Sequence, residues 1–99
     1  MDIELAAKQL SELGHATRLK IFRYLTRSGR NGVPVGEIQN ALGVPASTLS
    51  HHITRLMSVG LVIQRREGRT LYCVPQIDAL DGLIAFIQDE CCLDVCEST

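Results

Sequence analysis

The residues Gly43–Gly60, GVPASTLSHHITRLMSVG, decide the fold of this chain. Pro45 suits the first turn of a helix, where its missing N–H group costs no hydrogen bond. Gly60 suits the end of the same helix. Between them, apolar side chains recur at positions i, i+4 and i+7, which are Leu49, Ile53 and Leu56. This spacing places them on one face and predicts an amphipathic helix from Ala46 to about Val59.

A shorter helix is predicted just before that one. Val35, Ile38 and Leu42 recur at helical spacing, and Gly43 suits a left-handed helix end. Residues 43–45 then form the turn between the two helices. Two short helices joined in this way form a helix-turn-helix, a motif whose second helix enters the major groove of DNA. The chain is therefore expected to bind double-stranded operator DNA.

The polar face of the second helix supplies candidate DNA contacts. Its hydroxyl and imidazole groups can hydrogen-bond to phosphates or base edges without holding the helix away from the groove. It contains no acidic residue that would repel phosphate. The candidates are Ser47, Thr48, Ser50, His51 and His52. The competing interpretation is structural: Ser47 is a helix cap, and the two histidines are partly buried or simply face solvent.

Two runs rich in β-forming residues, 61–66 and 69–74, flank Glu67 and Gly68. This pattern predicts a β-hairpin, although Glu-Gly is a weaker turn signal than Asn-Gly or Asp-Gly. Arginines at such a hairpin tip can bind phosphate or enter the minor groove. We expect such contacts from Arg55 in the helix and from Arg65, Arg66 and Arg69 in the hairpin. A solvated hairpin without a DNA role is the alternative.

The remaining segments predict three more helices. The first runs from Ile3 to about Gly14, the second starts near Ala16, and the last begins after Pro75. The predicted fold is mainly α with a small β-hairpin wing, an α+β winged helix-turn-helix with five helices. The sequence shows no internal repeat or linker, so residues 1–99 are expected to form a single domain.

A chain of 99 residues has little core of its own. Two copies that share a core would remedy this, so a homodimer is expected. No apolar run approaches the ~20 residues needed to span a bilayer, and the first residues lack the pattern of a signal peptide. We therefore expect a cytoplasmic protein with no membrane partner. Its four cysteines then indicate chemistry or ligand binding before disulfides.

The formal net charge of −1 hides an uneven distribution along the chain. Residues 45–72 hold four arginines and one acid, whereas residues 73–99 hold six acids and no lysine or arginine. One face can then meet phosphate while the other end avoids it. Charge scatter in a short chain gives the same pattern, so the charge supports DNA binding only together with the helix-turn-helix.

These motifs resemble those of the ArsR/SmtB family, the arsenical-repressor family of transcriptional regulators. The most specific part is the Ser-Thr-Leu-Ser-His-His run followed by Arg-Glu-Gly-Arg, and the resemblance covers nearly the whole chain. The matching segments are Leu13–Ile21, Val35–Ile38, Pro45–Ile53, Val59–Val62 and Arg65–Tyr72. Ala16 stands where the family often has proline. The resemblance implies a symmetric dimer, with the first and last helices at its interface. It also implies a repressor released from DNA by an inducer, usually a thiophilic or transition metal ion.

The family places its inducer ligands at different positions, and two of these sites are missing here. The founding arsenic site is a cysteine motif near residues 35–39, where this chain has no cysteine. A zinc site on the last helix uses Asp and His. Asp78 and Asp81 are present, but no histidine follows His52. A subgroup of the family has an adjacent cysteine pair near the end of the last helix and a third cysteine nearby. That resemblance implies an arsenite or antimonite site at Cys91, Cys92 and Cys96.

The three C-terminal cysteines also fit two further kinds of function. Thiolates serve redox switches and bind other soft metals, which would make the chain a redox-responsive or metal-responsive repressor. A metal-buffering thiol protein would bind arsenite but not specific DNA. An enzyme is not expected, because the chain shows no catalytic motif, phosphate loop or cofactor site. Cys73, in the second hairpin strand, is expected to be a buried structural cysteine.

Overall fold

The computed structural model describes residues 1–89, and these form five helices and three strands. In chain order they are α1 (Ile3–Leu13), α2 (Ala16–Ser28), β1 (Val33–Pro34), α3 (Val35–Leu42), α4 (Ala46–Ser58), β2 (Val62–Glu67), β3 (Thr70–Pro75) and α5 (Ile77–Ile87). Helices α3 and α4 are the two helices of the helix-turn-helix, and the β2-β3 hairpin is the wing. The predicted winged helix-turn-helix fold is confirmed. None of the helices described is both long and apolar enough to cross a membrane.

Local signals fix the helix ends. The side chain of Asp2 accepts a hydrogen bond from the Leu5 N–H at 2.7 Å and caps α1. Gly43 follows α3 with φ 65° and ψ 31°, a left-handed conformation that glycine adopts without a Cβ clash. Its N–H donates to the Gln39 carbonyl at 2.8 Å. The turn into α4 therefore has the left-handed glycine that the sequence predicts.

The three strands form one antiparallel sheet in the order β1-β3-β2. Strands β2 and β3 form the predicted hairpin, but each strand lies one residue later than predicted, because Glu67 pairs with Thr70. Gly68 and Arg69 are therefore the two turn residues, and Gly68 has the positive φ of 61° that glycine tolerates. The sequence pattern does not predict β1, since a strand of two residues has no periodicity.

The hydrophobic core lies between α2, α3, α4 and the sheet. Its fully buried side chains include Ile21, Leu25, Ile38, Leu49, Leu56 and Leu61. Cys73 belongs to this core with none of its surface exposed, and burial raises the pKa of its thiol. A buried neutral thiol is a poor nucleophile and a poor metal ligand. The prediction that Cys73 is buried is confirmed, and its core position is consistent with the structural role expected of it.

Helices α1 and α5 contact each other and leave large apolar side chains in solvent. Ile3 and Leu10 of α1 are 69% and 47% exposed, and Ile84 and Ile87 of α5 are 45% and 53% exposed. Exposed apolar side chains gathered on neighbouring helices of a small domain indicate an interaction surface. The terminal helices therefore have the surface that a dimer interface on them requires.

The burial of Leu56 on the apolar side of α4 leads to a prediction about stability. Leu56 is fully buried, so Leu56→Ala should leave a cavity and lower the free energy of unfolding by about 2–5 kcal/mol. Urea unfolding at one fixed protein concentration measures this loss. Met57, the next residue, is 39% exposed, and Met57→Ala should change stability by only about 0.5 kcal/mol. Equal losses in the two variants would contradict the packing of α4 described above.

Candidate nucleic-acid interface

The exposed face of α4 carries four of the five hydroxyl and imidazole side chains predicted to contact DNA. Ser47, Thr48, Ser50 and His51 are exposed, while the apolar side of the same helix is buried in the core. No side chain within residues 1–89 caps α4, so Ser47 is not a helix cap and its hydroxyl faces solvent. The face therefore presents hydroxyl and imidazole groups that can hydrogen-bond to phosphates or base edges.

His52 does not lie on that face, which corrects the prediction that it contacts DNA. Its exposed fraction is 5%, and its Nδ1 accepts a hydrogen bond from Arg18 Nε at 3.2 Å. Burial lowers the pKa of His52, and the positive charge of Arg18 lowers this pKa further. The burial of His52 could have been predicted from the helical spacing. His52 follows Leu49 by three residues and precedes Leu56 by four, which places it on the apolar side of α4.

Arg55 is held by an acidic residue that the sequence pattern did not single out. Its Nη2 lies 2.6 Å from Oε2 of Glu12 in α1, and its Nε donates to Oε1 at 3.2 Å. The Glu12 side chain is only 9% exposed, whereas the Arg55 side chain is 51% exposed. The hydrogen bond from Arg55 is the main cause of the lowered pKa of Glu12. Arg55 is therefore a structural partner of Glu12, and the phosphate contact expected from its half-exposed side chain stays a prediction.

Glu12 also pairs with a second arginine. Arg18 Nη1 lies 2.5 Å from Glu12 Oε1 and also donates to the Glu12 carbonyl at 3.3 Å. Both side chains of this pair are 9% exposed. The sequence pattern did not mark Glu12 as a buried or functional residue. Its side of α1 becomes a buried side only because α2 and α4 pack against it.

The wing presents two exposed arginines, Arg66 and Arg69. Within the part of the chain that the structure describes, their side chains make no hydrogen bond or ion pair. With Gly36 they line a groove of about 470 Å³ between the wing and the start of α3. The N–H groups at a helix N-terminus attract anions, and no side chain in the described residues caps α3. A phosphate placed in this groove would meet two guanidinium groups and a helix N-terminus.

The third wing arginine, Arg65, is engaged within the protein. Its Nη1 donates to the Asn31 carbonyl at 3.0 Å, and its Nε donates to Glu67 Oε2 at 3.3 Å. Its guanidinium lies 4.9 Å from the centroid of the Tyr72 ring, directly across the hairpin. Arg65 thus ties the wing to the loop before β1. It keeps a half-exposed guanidinium, at 45% exposure, that can still reach a phosphate.

The predicted inducer ligands Cys91, Cys92 and Cys96 lie outside the described residues. Within residues 1–89, no group of three or more His, Cys, Asp or Glu side chains is arranged to hold a metal ion. Asp78 and Asp81 of α5 therefore do not form a metal site with other residues in that range. The geometry of residues 1–89 can be used to argue for DNA binding. The identity of the inducer is argued from the chemistry of the three cysteines.

The sequence of this chain is similar to those of known transcriptional regulators. A family described as a helix-turn-helix domain matches residues 13–65. The HTH-type transcriptional regulator YgaV of Escherichia coli is 33% identical over 90% of this chain and 88% of its own length. ArsR2 of Halobacterium salinarum, named as a proposed repressor of an arsenical resistance operon, is 35% identical over 67% of this chain and 55% of its own.

A solved structure agrees with the fold. A homodimeric winged helix-turn-helix DNA-binding domain from Mycobacterium bovis superimposes with a TM-score of 0.71 and 29% sequence identity. The match covers 87% of this chain and 77% of that one.

The buried His52 generates a pH prediction. The unfolded chain binds a proton on His52 with the ordinary pKa of 6.5, whereas burial lowers this pKa in the folded protein. Below about pH 6.5 the unfolded state therefore binds more protons than the folded state. The free energy of unfolding decreases there as the pH is lowered. Glu12 stays ionised in this range because its pKa is lowered. Urea unfolding from pH 7.5 to 5.5 should show a clear loss for the wild type and a smaller one for His52→Asn.

Asparagine is the suitable replacement because its side-chain oxygen can still accept a hydrogen bond from Arg18, yet it does not titrate. The urea dependence of the unfolding free energy should be the same in both proteins, which shows that only the proton balance has changed. An identical pH slope in the two proteins would refute the assignment of this titration to His52.

Proposed function

This chain belongs to the ArsR family of winged helix-turn-helix transcriptional regulators, and from that premise we propose that it is a homodimeric, arsenite-responsive repressor. It binds a palindromic operator in double-stranded DNA as a dimer. It leaves the operator when arsenite or antimonite binds Cys91, Cys92 and Cys96. The observation that carries the DNA-binding part is the acid-free polar face of α4 together with two exposed wing arginines whose side chains have no partner among residues 1–89.

The DNA contacts divide between the two elements. Ser47, Thr48, Ser50 and His51 of α4 contact base edges and phosphates in the major groove. Arg66 and Arg69, with Arg65 in support, bind phosphate or enter the minor groove beside it. Arg55 and His52 are left out of this set, because the first pairs with Glu12 and the second is buried.

The dimer rests on the exposed apolar side chains of α1 and α5. Ile3, Leu10, Ile84 and Ile87 are the principal ones, and a second copy would cover them. The related Mycobacterium bovis domain is homodimeric, which supports the same arrangement here. Two α4 helices related by a two-fold axis then enter major grooves about 34–36 Å apart.

The inducer part rests on the chemistry of three thiols within six residues. Thiolate is a soft ligand that selects thiophilic ions, and trivalent arsenite is satisfied by three sulfurs. The likeness to the Halobacterium salinarum protein supports arsenic as the inducer. The cysteines follow α5, a helix of the proposed dimer interface, so ligand binding there can favour a second dimer arrangement with lower DNA affinity. A reducing compartment such as the cytoplasm keeps the thiols available.

Replacing Arg66 tests the wing. Arg66→Gln should weaken binding to specific and random duplexes alike and should lower the salt dependence of binding. The slope of log K against log salt should fall by about 0.9 for each phosphate that the variant no longer neutralises. Fluorescence anisotropy at four salt concentrations measures both effects. Arg27→Gln is the matched control, since Arg27 lines a different groove on α2. An unchanged slope in Arg66→Gln would remove its phosphate role.

An arsenite titration tests the inducer. Reduced protein bound to a labelled operator should release DNA at stoichiometric arsenite, and a variant with Cys91, Cys92 and Cys96 changed to Ser should not. Cys73→Ala is the control and should respond as the wild type does, because Cys73 is buried. Specific DNA binding that ignores arsenite would refute arsenite induction while leaving the repressor in place. Release by hydrogen peroxide instead would identify a redox-responsive repressor.

A further inference from the structure

The inward side of α1 carries two buried polar residues, although the helix is amphipathic in sequence. Its buried residues are Ala6, Gln9 and Glu12, while Ile3 and Leu10 point outward. Gln9 is only 2% exposed and Glu12 only 7%. Ala6 and the partly buried Leu13 also pack inward, so the contact of α1 with its own domain combines apolar packing with hydrogen bonds. The exposed Ile3 and Leu10 are left for the dimer.

Two of these hydrogen-bonded attachments reach the recognition helix α4. Gln9 Nε2 donates to the carbonyl of Val59, the C-cap residue directly after α4, at 2.9 Å. One turn further along α1, Glu12 accepts two hydrogen bonds from Arg55, at 2.6 Å and 3.2 Å. The attachment points are spaced three residues apart on α1 and four apart on α4. Two attachment points on each helix fix the direction of one axis relative to the other.

A third connection closes the network through α2. Arg18 pairs with Glu12 and donates to His52 of α4 at 3.2 Å. Arg18 and His52 are 8% and 5% exposed, so this part of the network is shielded from water. Hydrogen bonds to charged groups are directional and are stronger than neutral ones. A network of this kind permits one orientation of α4, whereas apolar contacts alone would tolerate small rotations.

We propose that Gln9 and Glu12 are positioning residues that fix the recognition helix to the dimerisation helix and so determine the operator half-site spacing. The inference rests on the proposed function, because it requires a dimer formed through α1 and DNA read by α4. In such a dimer, the orientation of α4 relative to α1 decides how far apart the two α4 helices lie. Arg55 then helps to orient α4 through its ion pair with Glu12. The Glu12 carboxylate offsets the charge of Arg55 within the protein.

The unpaired side-chain oxygen of Gln9 allows the positioning role to be tested without a large loss of stability. Gln9 Oε1 is buried and has no hydrogen-bond partner in the residues described. Gln9→Met removes one hydrogen bond and also removes this unpaired acceptor, so the two effects on stability oppose each other. The variant should therefore fold with nearly wild-type stability while it loses the link to α4. Arg55→Gln is a second variant that should fold, since the Arg55 side chain is half exposed.

The experiment measures spacing preference. Selection from a random duplex library gives the wild-type operator, and duplexes are then made with the spacer at its native length and two base pairs longer or shorter. Wild-type protein should bind the native spacing far more tightly than the others. In Gln9→Met and Arg55→Gln, the ratio of the dissociation constants should fall roughly tenfold, with the affinity for one half-site unchanged. Glu4→Gln removes an exposed acid from the same helix and should keep the wild-type ratio.

Each other outcome overturns a distinct statement. Variants that bind DNA with the wild-type spacing preference would overturn the positioning role while leaving the proposed function intact. A salt slope lowered by about 0.9 in Arg55→Gln would show that Arg55 binds a phosphate, which would overturn its role as an orienting group. A wild-type protein that selects no operator would overturn the proposed function, and the positioning role with it.

Discussion

The carboxylate of Glu12 is the point at which three helices of this protein meet. It lies on α1 and accepts hydrogen bonds from Arg18 of α2 and Arg55 of α4. A buried carboxylate is unfavourable unless it is paired, and here two guanidinium groups hold its pKa below the usual range. Each guanidinium attaches this carboxylate to a different helix, so the orientation of α1 relative to α4 depends on the whole cluster being complete.

This constraint accounts for the way the surface of α4 is divided. The helix has an apolar side in the core, a polar side in solvent and, between them, the two residues His52 and Arg55 that join the cluster. Only the solvent side is available to DNA. The wing completes that surface, because Arg65 is tied to the protein and leaves Arg66 and Arg69 to face outward near the start of α3.

The same constraint separates the two surfaces of α1. Hydrogen bonds through Gln9 and Glu12 attach its polar side to the domain, so its larger apolar residues are free for a second copy of the chain. Helix α5 adds its own exposed apolar side chains, and the three cysteines follow it in sequence. A dimer built on α1 and α5 would connect the proposed inducer ligands to the recognition helices, because α5 precedes the cysteines and α1 is fixed to α4.

The sequence by itself determined the elements whose signals are local. The periodicity of α4, the left-handed Gly43 and the two runs of β-forming residues in the hairpin depend on neighbouring residues, so the winged helix-turn-helix and the exposed face of α4 could be predicted. The tertiary structure alone decided the roles of His52 and Arg55, because these depend on Glu12 and Arg18, which lie at least 34 residues away in sequence. It also set the one-residue shift of the wing and the pairing of β1, since strand register depends on the partner strand. Periodicity predicted helix α1, but only packing showed that Ile3 and Leu10 face solvent while Ala6 is buried, because hydrophobicity does not distinguish a core from an interface.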